Sequence, residues 1–181
     1  LVIKYQHTGK LTWKTTRYRT YTRVYVPRGS TLIESKGAMT ECNVKKDGTI
    51  IGRHKPSSEF PFHKSIYEKR PDVKAVIHAH PPALVSFSIV RKIPDTRIVS
   101  QARHVCGPIG YAAYRLPGSQ ALGDIIADEF EKGFHAVIME NHGTVVGGYN
   151  LADCFLRFET LEFCARTILY AHMIGNPSYL T

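Results

Sequence analysis

Two apolar segments that each end in histidine constrain the fold of this chain more than any other feature. The first ends in His78-Ala-His80, and the second ends in His142, directly before a glycine. Side chains at i and i+2 of a β-strand project from the same face, so His78 and His80 can bind one ion while Ala79 faces the core. The sequence therefore predicts two strands whose ends carry three imidazoles.

Three neutral imidazoles with an open fourth position are typical of catalytic zinc sites, whereas structural zinc sites are usually closed by four ligands rich in cysteine. If the third histidine lies beside the other two, the chain is a metalloenzyme. The alternative is that His78 and His80 are simply two half-exposed strand residues. The four cysteines are scattered and include no Cys-x-x-Cys pair, which favours a reducing cytoplasmic compartment.

Strands and helices alternate along the chain, which predicts an α/β fold. Apolar spacing and cap signals predict helices at 60–69, 83–90, 120–132 and 151–173. Strands are predicted in 14–26, on both sides of the Asp47-Gly48 turn, and at 73–80, 135–140 and 144–146. Residues 93–116 show no clear period and support only short strands. The chain length of 181 residues suits one domain.

The positive charge is concentrated near the amino terminus. Residues 1–33 hold seven Lys or Arg and no acid, while the other 148 hold 17 basic and 15 acidic residues. Such a segment can be a solvated basic hairpin, can attract an anionic small molecule, or can bind nucleic acid through its arginines and tyrosines. We expect no nucleic-acid partner, and the short, interrupted apolar runs predict no membrane partner.

The segment Ser57-Ser58-Glu59 precedes a predicted helix and combines two hydroxyls with a carboxylate. A helix amino terminus attracts phosphate, so Ser57 and Ser58 can bind a phosphoryl group. Glu59 can act as a base toward a carbon acid whose anion is stabilised by the metal. The alternative is that the segment only caps the helix, with Ser57 or Ser58 as the N-cap and Glu59 interacting with the helix dipole.

Four motifs together resemble the class II aldolase and adducin family, most closely its L-fuculose-phosphate aldolase branch. They occur in the order and approximate spacing of that family. The motifs are Ser57-Ser58-Glu59-x-x-x-His63, Arg70-Pro-Asp-Val-x-Ala-Val-Ile-His78-Ala-His80, Tyr114-x-x-Pro-Gly-Ser119 and Asn141-His142-Gly143.

The resemblance implies one Zn²⁺ per subunit bound by His78, His80 and His142, with Glu59 as the catalytic acid/base and Ser57 and Ser58 on the substrate phosphate. The implied fold is a three-layer α/β/α domain with a central, mostly antiparallel or mixed sheet. It would span residues 1–181 as a homotetramer subunit, without the family's amino-terminal helix and carboxyl-terminal tail. The implied reaction is cleavage of a phosphorylated ketose to dihydroxyacetone phosphate and an aldehyde.

The match is weaker in the amino-terminal segment. Gly9 and Lys10 fall where the family has a Gly-Asn-x-Ser phosphate loop, and Arg28 and Gly29 where it has a Thr-Pro-Ser/Thr-Gly loop. Lys10 replaces an asparagine and Arg28 replaces a hydroxyl residue, so cations take the place of neutral donors. We expect these positions to bind phosphate with an altered geometry.

The tyrosine that protonates the aldehyde in the fuculose-phosphate branch has no counterpart near Ile98 and Val99. His104, Tyr114 and Tyr179 are the candidates to replace it, and the sequence does not choose among them. Epimerisation, dehydration and decarboxylation of sugar phosphates use related chemistry and stay open as alternatives. A non-catalytic, adducin-like binding module is the alternative from a different functional class.

Overall fold

A computed structural model describes residues 58–181 in full and, farther upstream, the backbone of four strands. These strands are β1 Thr12–Tyr18, β2 Thr22–Pro27, β3 Asn43–Lys45 and β4 Ile50–Ile51. They form one antiparallel sheet in the order β2-β1-β3-β4. The strands predicted in 14–26 and on either side of Asp47-Gly48 are confirmed.

The second sheet carries the histidines. Its order is β5-β8-β7-β6, with β5 Ala75–Ala79, β6 Gly110–Ala112, β7 Ala136–Met139 and β8 Gly143–Gly148. Strand β8 is antiparallel to both β5 and β7, and β6 is parallel to β7. The carboxyl ends of β5, β6 and β7 therefore meet at one edge of the sheet.

Helices cover both faces of this second sheet, which confirms the predicted α/β fold. The helices are α1 Phe60–Lys69, α2 Pro82–Ile89, α3 Ser100–Cys106, α4 Gln120–Glu131 and α5 Leu151–Ile174. Alternate residues of the strands face opposite layers, so Val76 and Val145 pack with α1 and α4, while Ile77 and Val146 pack with α2, α3 and α5.

Two sequence predictions need correction. The segment 93–116 contains a 3-10 helix at Thr96–Ile98 and helix α3 as well as strand β6. Helix α3 has only seven residues, and only Ala102 and Cys106 are buried. Two buried positions are too few to produce a visible apolar period.

The second correction concerns the N-cap of α1. This residue is Glu59, rather than Ser57 or Ser58, and its side chain makes no capping hydrogen bond. Glu59 already has helical dihedral angles, with φ −79° and ψ 0°, so Ser58 lies in the turn that precedes the helix. Ser58 is therefore not part of the first helical turn, and Ser57 lies outside the described residues.

No described helix is both long and apolar enough to cross a membrane. Among the described cysteines, Cys106, Cys154 and Cys164 are buried and free.

Candidate metal centre

The three predicted ligands lie together at the edge where the strands end. The centroid of the His78 ring is 4.7 Å from that of His80 and 5.1 Å from that of His142, and the His80 and His142 rings are 5.0 Å apart. One ligand nitrogen from each ring lies within 4.8 Å of the other two. Strand β8 brings them together because it pairs with β5 on one side and with β7 on the other.

A backbone contact fixes the orientation of the His78 ring. Its Nδ1 lies 3.1 Å from the carbonyl oxygen of Thr144, which accepts the Nδ1 proton and leaves Nε2 for an ion. The Nε2 of His80 lies 2.9 Å from the Nε2 of His78. Two nitrogens on one tetrahedral zinc are about 3.3 Å apart, so a small rotation of the exposed His80 ring gives a suitable pair.

The environment keeps the triad neutral. Desolvation by burial lowers the pKa of His78 well below its ordinary value of 6.5, and the nearby His80 and His142 add to that effect. Desolvation also lowers the pKa values of His80 and His142. A metal ion needs unprotonated imidazoles as ligands, so the electrostatics favour metal binding near neutral pH.

Gly143 is required by the packing around the triad. A Cβ atom at this position would lie 2.6 Å from the carbonyl oxygen of Ala79, 2.6 Å from Cδ2 of His80 and 3.2 Å from Cε1 of His78. The absence of a side chain at Gly143 lets β8 approach the two rings closely. Three convergent neutral imidazoles, one with a fixed tautomer, fit a divalent metal such as zinc.

Helix α1 lies on the same side of the sheet as the triad. The Phe62 ring meets the His78 ring edge-on, with a centroid distance of 5.3 Å. Glu59 precedes Phe62 by three residues, a spacing that places side chains on one side of a helix. Its Oε2 atom is shielded from solvent.

The loop 113–119 packs against the start of α1. A Cβ at Gly118 would lie 2.8 Å from the carbonyl oxygen of Ser58, and Gly118 has a φ of +80°. Both the contact and the backbone conformation favour glycine.

Ser58 is exposed, whereas the other predicted phosphate-binding residues lie outside the described residues. Those residues are Gly9, Lys10, Arg28, Gly29 and Ser57.

The three candidate proton donors are in different environments. Tyr114 follows β6 at the same edge as the triad, is 57% exposed, and its backbone N–H donates to Oε2 of Glu140 at 2.8 Å. His104 is an exposed residue of α3. Tyr179 lies in the carboxyl-terminal segment, at a groove lined by α2 and α5. Tyr114 is thus the one of the three that is hydrogen-bonded to the hairpin carrying His142.

Sequence reasoning missed the ion pair between Glu140 and Arg91. Arg91 Nε donates to Glu140 Oε1 at 2.6 Å. The Tyr114 N–H and then the Arg91 guanidinium lower the pKa of the Glu140 carboxyl. The two residues are 49 apart in sequence, and no local pattern connects them.

Comparison with known proteins agrees with this geometry. Residues 30–169 match the family model described as the Class II Aldolase and Adducin N-terminal domain. The chain belongs to the class II aldolase and adducin family. The resemblance inferred from the four motifs is therefore confirmed.

Curated relatives within this family have more than one activity. A 5-deoxy-D-ribulose 1-phosphate aldolase from Bacillus thuringiensis is 36% identical over 137 residues, 74% of this chain and 62% of the relative. An L-fuculose phosphate aldolase from Methanocaldococcus jannaschii is 32% identical over 81% of this chain and 78% of the relative. A 3-oxo-tetronate 4-phosphate decarboxylase from Pectobacterium atrosepticum is 33% identical, with coverages of 81% and 68%. This chain thus spans less than two thirds of the length of the Bacillus aldolase.

Solved structures show the same fold. The crystal structure of YgbL from Klebsiella pneumoniae superposes with a TM-score of 0.73 at 26% identity. The superposition covers 98% of this chain and 86% of the Klebsiella protein, whose description names aldolase, epimerase and decarboxylase as alternatives.

Proposed function

We propose that this protein is a zinc-dependent lyase that cleaves a phosphorylated ketose, such as L-fuculose 1-phosphate, to dihydroxyacetone phosphate and an aldehyde. The observation that carries the proposal is the convergence of His78, His80 and His142 at one sheet edge. The Bacillus and Methanocaldococcus relatives, both named as aldolases of phosphorylated ketoses, support this reaction class.

The three histidines would hold one Zn²⁺, and the carbonyl oxygen of Thr144 would orient the His78 ring by accepting its Nδ1 proton. A zinc ion there would act as a Lewis acid that stabilises the enediolate left by carbon–carbon cleavage. No Schiff-base lysine is needed for this chemistry. His78 and His142 are half-buried and His80 is exposed, so a substrate would reach the ion from the side of His80.

Glu59 would be the acid/base of the reaction. Glu59 is the N-cap of α1, the helix whose Phe62 ring contacts the His78 ring. The Oε2 atom of Glu59 is shielded from solvent. A shielded carboxylate close to a metal-bound substrate can move a proton between carbon and oxygen without competition from solvent. In the reverse direction, the same group would return the proton.

The substrate phosphate would be bound by Ser57, Ser58 and the amino-terminal segment. Ser58 is exposed just before α1, where a phosphate would meet the positive end of the helix dipole. Pro61 lacks an N–H group, so this helix offers one donor fewer than usual. The remaining contacts would come from a group of glycines and cations, namely Gly9, Lys10, Arg28 and Gly29.

Decarboxylation is the second candidate reaction, because the Pectobacterium relative is a decarboxylase with an identity similar to those of the aldolases. Loss of carbon dioxide also produces an enediolate, and it requires no proton donor to an aldehyde. The absence of a tyrosine near Ile98 and Val99 therefore favours it. Epimerisation and dehydration would follow from the same anion.

The family resemblance further supports a homotetramer of single-domain subunits, and the scattered cysteines support a cytoplasmic location. Size-exclusion chromatography with light scattering would test the assembly. A monomer at micromolar concentration would contradict the tetramer.

Metal analysis tests the centre itself. We expect about one zinc per chain in the purified protein, and loss of that zinc in His78→Ala and in His142→Ala. His172→Ala is the matched control because His172 is an exposed histidine on α5. A folded wild-type protein that contains no metal and binds none on addition of Zn²⁺ would instead favour the adducin-like binding module.

A substrate panel tests the reaction. The zinc-loaded protein is supplied with ketose 1-phosphates and with 3-oxo acid phosphates, and release of dihydroxyacetone phosphate or carbon dioxide is followed. Glu59→Gln should abolish turnover of the active substrate and retain zinc, because the amide keeps the shape but cannot transfer the proton. Full activity of Glu59→Gln would refute the assigned role.

A further inference from the structure

Glu140 joins two other segments, the one that follows α2 and the one that contains the end of β6, to the His142 hairpin. Oε1 accepts Nε–H of Arg91 at 2.6 Å, and Oε2 accepts the N–H of Tyr114 at 2.8 Å. The backbone N–H of Glu140 also donates to the carbonyl oxygen of Ala112 at 2.9 Å. The side chain is 14% exposed, although it belongs to a charged residue in a turn. Both of its oxygens are thus used at the point where β7 ends.

The segment that ends in Arg91 begins next to His80, one of the three proposed metal ligands. Helix α2 begins two residues after His80. The N–H groups of Ala83 and Leu84, in the first turn of α2, donate to the carboxylate of Glu162 on α5. Arg91 follows the other end of α2. Helix α2 therefore connects the strand end that carries His80 to the carboxylate located two residues before His142.

The backbone at both ends of the ion pair has an uncommon conformation. Arg91 has a φ of 54° and Asn141 a φ of 52°. A residue other than glycine is disfavoured in this region and persists where surrounding contacts hold it. The Glu140 contacts hold the turn in which Asn141 lies, and that turn sets the direction of the His142 side chain.

We propose that Glu140, paired with Arg91, is a positioning residue that fixes His142 for metal binding. Without the pair, the hairpin would retain its fold but His142 would sample positions away from His78 and His80. The third ligand would then have to be ordered on metal binding, which lowers the affinity. The inference rests on the proposed metal centre, and it concerns affinity and geometry rather than the identity of the reaction.

The test compares three variants of the full chain. Glu140→Gln retains the shape but removes the charge. Arg91→Gly removes the guanidinium and adopts a φ of 54° without strain, so its effect on folding is small. Glu129→Gln is the control, because Glu129 is 16% exposed and pairs with an exposed cation, Lys132, on α4. Glu129 contacts Gly110, at the start of β6, away from the triad edge.

The measurements are Zn²⁺ affinity by competition with a chromophoric chelator, the visible spectrum of the Co²⁺-substituted protein, and the melting temperature without metal. We expect Glu140→Gln and Arg91→Gly to weaken Zn²⁺ binding by about 10- to 100-fold and to change the Co²⁺ spectrum. The control should match the wild type. The metal-free melting temperatures of Arg91→Gly and the wild type should agree, which separates positioning from general stability.

Wild-type affinity and spectrum in both variants would overturn the positioning role. If Glu140→Gln does not fold, Arg91→Gly decides the question alone. If the wild type binds neither Zn²⁺ nor Co²⁺, the proposed metal centre fails and this inference fails with it. If the wild type binds metal and the variants bind it equally well, only the positioning role is refuted.

Discussion

A single methyl group at Gly143 should disable the proposed metal centre. In Gly143→Ala the added Cβ would lie 2.6 Å from the carbonyl oxygen of Ala79 and 2.6 Å from Cδ2 of His80. Ordinary contacts between such atoms begin near 3.4 Å. The strand end or the ring must therefore move by roughly 0.8 Å, the difference between the two distances. The Ala79 oxygen belongs to the backbone of β5, so it cannot move without displacing both neighbouring ligands.

Such a displacement has two measurable consequences. Overpacking of this kind costs about 1–3 kcal/mol of unfolding free energy. A shift near 1 Å at the reacting centre reduces turnover by about 100-fold. The assays are urea denaturation, Zn²⁺ competition with a chelator, and turnover of the substrate found in the panel. The loss should be larger in metal affinity and turnover than in stability, because β8 keeps its pairing with β5 and β7.

Gly175→Ala is the matched control for this substitution. No atom lies within 4 Å of a Cβ at Gly175, and its φ of 168° is extended backbone that alanine adopts. This variant should bind zinc as the wild type does. If Gly143→Ala also binds zinc and turns over substrate at wild-type levels, the close approach of β8 to the rings is not required, and the reasoning is refuted.

Three further predictions concern acid stability, helix capping and proton donation. Complete burial lowers the pKa of His63 to about 3 in the folded protein, against 6.5 without burial. As the pH falls below 6.5, His63 binds a proton in the unfolded chain but not in the folded protein. The free energy of unfolding should therefore fall by about 2 kcal/mol between pH 7 and pH 5 because of this residue. Denaturant titrations of wild type and His63→Gln at both pH values measure it, and parallel pH dependences would contradict it. Ser119→Ala removes the acceptor for the Leu122 N–H at the start of α4 and should cost about 1 kcal/mol in urea unfolding, whereas Ser100→Ala should cost less because Ser100 is not the N-cap of α3. Tyr114→Phe should slow aldol cleavage and leave zinc affinity unchanged, with Tyr179→Phe as the control. An equal loss in both tyrosine variants, or in neither, would remove Tyr114 as the proton donor.

The predicted helices were largely correct because each has a strong local signal. Ser119 follows a glycine and precedes an apolar repeat, and its hydroxyl accepts the Leu122 N–H. Helix α1 was predicted with its observed bounds, but its N-cap was wrong. The position of Ser58 depends on contact with Gly118, sixty residues away, and no local pattern reports such a contact. Helix α3 was missed because its two buried residues do not form a readable period.

The sequence by itself determined which residues are candidates to bind a metal ion. The two-residue period of a strand places His78 and His80 on one face, and this geometry is local. Only the tertiary structure decided that His142 joins them, because the pairing of β5 with β8 links residues more than sixty positions apart. The same holds for the ring orientation set by Thr144, the close approach at Gly143 and the pairing of Arg91 with Glu140. Each depends on strand register and helix packing, which arise from burial of the whole core rather than from any one segment.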